Sequence, residues 1–310
     1  MRGSNSPRGP AARAAISPEQ ILGFDPEEAD ALLDRLEREI PVLPTTLVEV
    51  PSAPNVEAVV FGDTHGDWRS TVAAAGRFLE DPTRRILVGL GDYVDRAPDD
   101  CGAGSVANAL YLLTLEADHP RRVVLIQGNH ETTRRVPVVP QNLAEEVDEL
   151  WGPDVTRYSR LLSLLERGPL AAVTSNGAYF AHGGFPRPPN DDPIRDAFRS
   201  PSEATLLDLV WGDCGAARSH RGVTTPFDRN DLARFLSRIG ASVFLRGHDP
   251  DLSGKSVYDD RCLTLHTSRV YERYGGVLVA WVPLDRPITS TRDVRVEHLE
   301  TEGREYPEPW

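Results

Sequence analysis

Glu57-Ala58-Val59-Val60-Phe61-Gly62-Asp63-Thr64-His65-Gly66 is a short apolar run that stops at a glycine and then offers a carboxylate and an imidazole two residues apart. Such a run reads as a buried strand with a polar tip, and both side chains of the tip can face one crevice. Taken alone, the tip fits a capped turn with an incidental histidine equally well. The pattern recurs, however. Ile86-Leu87-Val88-Gly89-Leu90 runs into Gly91-Asp92-Tyr93-Val94-Asp95-Arg96, and Val123-Val124-Leu125-Ile126 leads to Gly128-Asn129-His130-Glu131. Turns favour Gly, Asp and Asn, but a glycine followed by Asp or Asn at three consecutive strand ends, each with His, Asp or Arg nearby, exceeds what turn chemistry requires.

Between these runs, Trp68 to Glu80 and Gly104 to Asp118 read as helices, so the front half is β-α-β-α-β with parallel strands, and ligands gather where such strands end. Upstream, Ser17-Pro18-Glu19-Gln20 is a helix start, and Pro26 to Ile40 carries leucines at helical spacing. In the back half, Leu170 to Val173 and Ala178 to His182 flank Ser175-Asn176-Gly177, a hairpin signal. Further strands are expected at Ser242 to Leu245, Cys262 to His266, Val277 to Trp281 and Asp293 to Glu297, with helices at Asp154 to Arg167 and Arg229 to Ile239. The expectation is one α/β domain over residues 17–300 with two packed mixed β-sheets flanked by helices. Residues 1–16 read as a disordered tail and 301–310 as a C-terminal tail.

Composition narrows the function. A net charge of −13 opposes general attraction to nucleic acid or anionic lipid, so no partner of either kind is expected and an anionic substrate must be captured locally. Cys101, Cys214 and Cys262 are widely separated and lack CxxC pairing, which reads as reduced thiols. With no apolar stretch of about 18 residues and no signal-peptide pattern, a cytoplasmic setting is expected.

Two more polar tips follow apolar runs, His182-Gly183-Gly184 and Arg246-Gly247-His248. Carboxylate, amide and imidazole donors without thiolates suit Mn, Fe or Zn. Asp63, His65, Asp92, Asn129, His182 and His248 are too many donors for a single zinc site. They make two sites if one carboxylate bridges, and two-metal centres are the usual machinery for attack at phosphorus.

From Val48 to Trp281 the sequence resembles the phosphoprotein phosphatase (PPP) family of serine/threonine phosphatases, within the calcineurin-like metallophosphoesterases. The motifs GDxHG, GDxVDRG, GNHE, HGG and R[AG]H occur here in order, the second lacking only its last glycine. The resemblance implies a four-layer sandwich and two divalent cations, with manganese expected and iron or zinc as alternatives. It implies Asp63, His65 and Asp92 on the first metal and Asp92, Asn129, His182 and His248 on the second. A metal-bound hydroxide would attack phosphoserine or phosphothreonine in a phosphoprotein or phosphopeptide directly. His130 corresponds to the general acid, Asp95 to its orienting carboxylate, Arg96 and Arg221 to the phosphate clamp, Asn129 to a group touching both metal and phosphate, and Tyr271 to an active-site tyrosine. No regulatory partner is identified.

Departures are specific. Ala97 stands where the family has glycine, so the Arg96 loop must tolerate a Cβ. Leu265-His266-Thr267-Ser268-Arg269-Val270-Tyr271 replaces the family's Ser-Ala-Pro-Asn-Tyr segment, so peptide preference does not transfer. His266 reads as a strand-end histidine with a hydrogen bond, Cys101 as a buried idle thiol, and Trp211-Gly212-Asp213 as an anchor and turn. Pro98, after the Asp-Arg pair, also fits a hydrolase of dinucleoside polyphosphates or other small phosphoesters, the alternative reading. A catalytically inactive binding module fits worse, since every expected donor and the proposed acid are present.

Overall fold

The computed structural model describes residues 16–187, 193–218 and 220–301; the expected tails lie outside these residues apart from Ile16 and Thr301. The first four strands are β1 (Leu47–Val50), β2 (Glu57–Phe61), β3 (Arg85–Gly89) and β4 (Val123–Leu125). The hairpin follows as β5 (Ala171–Thr174) and β6 (Ala178–Ala181). Then come β7 (Val243–Arg246), β8 (Ser256–Val257), β9 (Cys262–Thr264), β10 (Leu278–Pro283) and β11 (Arg295–His298). They form two mixed sheets, one ordered β1-β5-β6-β7-β9-β8 and the other β11-β10-β2-β3-β4.

The apolar runs explain the layering. In β2, Ala58 and Val60 face the space between the sheets, while Val59 and Phe61 face a helical layer, so every position from Ala58 onward is buried. Opposite them, Phe180, Val243 and Leu245 fill the inter-sheet core, and Tyr179 and Phe244 face the second helical layer. Strands covered on both faces read as continuous apolar runs rather than as alternation. The result is helices, sheet, sheet, helices, the expected four-layer sandwich.

Strands β2, β3 and β4 are parallel, with Phe61 paired to Gly89 and Gly89 to Leu125, so their carboxyl ends lie side by side. In the other sheet β6, β7 and β9 are parallel too. The sheets meet at these ends through an isolated parallel bridge between Asp63 and His266. The helices Trp68–Leu79, Gly104–Asp118 and Arg229–Ile239 lie where the spacing predicts. Helices Leu143–Trp151 and Glu203–Trp211 and strand β1 were not predicted. Among the described residues no helix is long and apolar enough to cross a membrane.

Candidate metal centre

The six expected donors converge at the junction of the two sheets and are buried there: Asp63, His65, Asp92, Asn129, His182 and His248 are each at most 4% exposed. The glycines of the motifs make room for them. A Cβ on Gly128 would lie 2.2 Å from Asp92 Oδ1, and one on Gly247 would lie 2.1 Å from Asp63 Oδ1. His65, Asp92 and His248 all have positive φ, at 46°, 56° and 73°, a conformation that costs a non-glycine residue energy and recurs at functional sites.

Two clusters of possible ligands share one carboxylate. His65, Asp92 and His130 form the first and Asp92, His182 and His248 the second, with the donor atoms of each within 4.8 Å of one another. Asp92 Oδ2 lies 3.6 Å from His65 Nε2 and 3.4 Å from His182 Nε2. Asp63 stands beside both clusters rather than inside either; its Oδ1 is 3.9 Å from His182 Nδ1 and accepts the His248 amide at 3.1 Å.

The hydrogen bonds assign the lone pairs. His65 Nδ1 lies 2.9 Å from Val94 O and His182 Nδ1 2.9 Å from Leu90 O, so both donate to carbonyls through Nδ1 and turn Nε2 into the site. His182 Nε2 then faces Asn129 Oδ1 at 3.0 Å, His248 Nδ1 at 3.1 Å and Asp92 Oδ2 at 3.4 Å. The Asn129 and Asp92 oxygens present lone pairs to this one ring nitrogen, an arrangement that a proton on the nitrogen or a metal ion between them would satisfy. Burial works against a charged His182, but the Asp92 and Asp63 carboxylates outweigh it and push its pKa up to about 9. Burial also opposes ionisation of Asp63, yet the His266 and His182 imidazoles hold it at about 2. His65 is held down at about 3, chiefly by burial with the His130 and Arg96 charges adding. Anionic carboxylates beside the neutral His65 imidazole, and beside a His182 that must give up its proton when metal binds, form a donor set that fits divalent cations.

Around this centre stand the other expected residues. His130 Nδ1 lies 2.5 Å from Asp95 Oδ2, and Asp95 is itself held by the Asn142 and Leu143 amides at 2.7 and 3.0 Å. Arg96 Nη1 donates to the Tyr271 hydroxyl at 2.8 Å and lies 3.5 Å from His65 Nε2. Tyr271, its pKa pushed up to about 12 by burial, remains a phenol. Arg221 is on the His248 side, where Nη1 donates to Asp213 at 2.7 Å and Asp249 at 2.9 Å and Nη2 to His248 O at 2.7 Å.

Several expectations are refined. The Arg96 loop accommodates Ala97 because positive φ falls at Asp95 (65°) and Arg96 (56°), and Ala97 Cβ is packed against Gly66 and Gly104, which have no side chains. Asp213 does more than make a turn: fully buried, it fixes Arg221, and Trp211 meets the His248 ring edge-on at 5.6 Å. His266, expected to have a hydrogen bond, has none on either ring nitrogen. Cys101 is a buried thiol whose pKa burial and Asp67 push up to about 12, so it is inert. Sequence reasoning gave Glu131 no role, although its carboxylate accepts the amides of Asp92 and Tyr93 at 2.8 Å and of Gly128 at 2.7 Å. The signal was present in the motif, as an acidic residue directly behind a donor-bearing turn.

Comparison with known proteins identifies the family and the fold. A probable serine/threonine-protein phosphatase of Encephalitozoon cuniculi is 27% identical over 82% of this chain and 56% of its own length. The serine/threonine-protein phosphatase 4 catalytic subunit of Kluyveromyces lactis is 29% identical over 74% of this chain and 75% of its own. The chain thus spans little more than half the length of the first of these relatives. Among solved structures, a Saccharomyces cerevisiae protein serine/threonine phosphatase with similarity to human phosphatase PP5 superposes with a TM-score of 0.69 at 21% identity, over 89% of this chain and 91% of that one. Residues 57–252, which carry every donor of the buried cluster from Asp63 to His248, match the calcineurin-like phosphoesterase family, to which the chain belongs.

Proposed function

We propose that this protein is a dinuclear-metal phosphatase that removes phosphate from phosphoserine and phosphothreonine in proteins. The observation that carries the reading is Asp92, one buried carboxylate standing in both clusters of donors. In the proposed site, Asp63, His65 and Asp92 hold one cation and Asp92, Asn129, His182 and His248 the other; when bound, the pair supplies Lewis-acid polarisation of a phosphoryl oxygen and acidifies water. Manganese is the proposed ion, since oxygen and imidazole donors without thiolate accept it.

The chain's own residues do the rest. Arg96, beside His65, and Arg221, beside His248, would take the phosphoryl oxygens, since guanidinium forks bind such oxygens in pairs. Arg96 exchanges its bond to Tyr271 for one to phosphate, while Asp213 and Asp249 keep Arg221 aimed. His130 delivers a proton from Nε2 to the departing serine or threonine oxygen, because Nδ1 is engaged by Asp95. The substrate assignment is supported by the names of both sequence relatives. A cytoplasmic location accords with three cysteines that are all free thiols.

The test is turnover of a phosphothreonine peptide and of diadenosine tetraphosphate, each with Mn, Fe, Zn or Mg added to metal-stripped protein. Metal-dependent turnover that favours the peptide supports the reading. Turnover of the dinucleotide alone overturns the protein substrate, and none with any metal overturns the enzyme.

A further inference from the structure

His266 lies outside the six donors, yet it is fully buried and neither of its ring nitrogens makes a hydrogen bond. Buried imidazoles are seldom left this way, because an unmet polar atom carries its desolvation cost uncompensated. The backbone gives the ring little freedom to turn aside. His266 bridges Asp63, its carbonyl accepts the Leu278 amide at 2.9 Å, and the next residue, Thr267, donates to Asp63 O at 2.9 Å. The Tyr271 ring closes one side, edge-on at 5.0 Å. Held so, His266 Nε2 faces Asp63 Oδ2 at 3.4 Å but off the line a hydrogen bond needs. Two buried donor atoms at that separation can both reach one cation whose ligand bonds are about 2.0–2.2 Å. Asp63, moreover, is the donor that both tight clusters leave aside.

We propose that His266 is a seventh protein donor, ligating through Nε2 the cation held by Asp63, His65 and Asp92. This rests on the dinuclear reading above. The two halves of the centre then match: Asp63, His65 and His266 on one side, Asn129, His182 and His248 on the other, with Asp92 between them. Each half has two imidazoles and one side-chain oxygen of its own. The added imidazole takes a coordination position otherwise left to water and turns the half-site toward imidazole-preferring ions and away from Mg.

Mn(II) alone serves as the probe. Metal-stripped wild type, His266→Phe and His266→Gln are titrated by equilibrium dialysis, and imidazole nitrogens coupled to bound Mn(II) are counted by pulsed electron paramagnetic resonance. Circular dichroism checks the fold, with the polar glutamine variant standing in should phenylalanine not fold. The expected result is two Mn(II) per wild-type chain, with one site weakened about tenfold or more in the variants and one imidazole coupling lost. An unchanged coupling count, even with weaker binding, overturns ligation and leaves His266 as a positioning residue for Asp63. Wild type that binds no Mn(II) brings down the dinuclear reading and this proposal with it.

Discussion

The Glu131 carboxylate accepts the backbone amide of Asp92 at 2.8 Å, tying the turn that follows β4 to the turn that follows β3. It holds Tyr93 N and Gly128 N as well, so one side chain satisfies three buried amides at the base of the centre. Glu131→Ala leaves all three unmet at about 1–3 kcal/mol each. Urea denaturation should show a loss of about 3 kcal/mol or more; an unchanged midpoint would mean these bonds do not hold the turns.

His130 is a donor in the first cluster as well as the proposed acid. Its catalytic role separates the two readings by leaving group. His130→Ala should lower kcat for a phosphoserine peptide by about 10²–10⁴ and for an aryl phosphate, whose leaving oxygen needs no proton, by much less. Asp95→Asn should reproduce the pattern more weakly. Equal losses on both substrates would assign His130 to the metal rather than to the proton.

Arg96 is anchored to Tyr271 at 2.8 Å, a neutral partner that a phosphate can displace. Arg96→Ala should raise KM by about 10- to 100-fold, the worth of charge-assisted hydrogen bonds of about 1.5–3 kcal/mol. Tyr271→Phe frees the guanidinium and should change KM by only a few-fold. Steady-state kinetics that found Tyr271 the more damaging substitution would contradict this division of labour.

Glu146 caps the helix Gly104–Asp118 from another helix, accepting Ser105 N at 2.7 Å, Ser105 Oγ at 2.6 Å and Val106 N at 3.2 Å. Burial outweighs those bonds and pushes its pKa up to about 7, against the usual 4.5. Between these values the folded chain holds a proton that the unfolded chain has released, so stability falls as pH rises from about 5 to about 7 and then levels off. The full loss is ~3 kcal/mol. Glu146→Gln cannot ionise and should flatten that part of the profile; parallel profiles for the two proteins would refute the assignment.

The convergence of the six side chains was legible because they sit at strand ends within five or six residues of an apolar run, and local pattern reports local structure. What escaped depends on distant pairings. Strand β1 is four residues long, includes Glu49, and exists because it pairs with β5 more than a hundred residues away. Asp213 shows its role only when folding brings it against Arg221, and Glu131, visible beside its own turn, gains its second partner only when Asp92 arrives. His266 had no donor near it in sequence, and it is the bridge between sheets that sets it against Asp63. At Ala97 the missing glycine predicted strain one residue too late, since the turn places its left-handed conformation at Asp95 and Arg96.

In the proposed centre Asp92 bridges two cations. Crystals of the protein grown with Mn(II) and measured for anomalous scattering test it most directly. Two peaks about 3.5–4 Å apart are expected on either side of the Asp92 carboxylate, with loss of the pair in Asp92→Asn. One peak, or two too far apart to share that carboxylate, would contradict it.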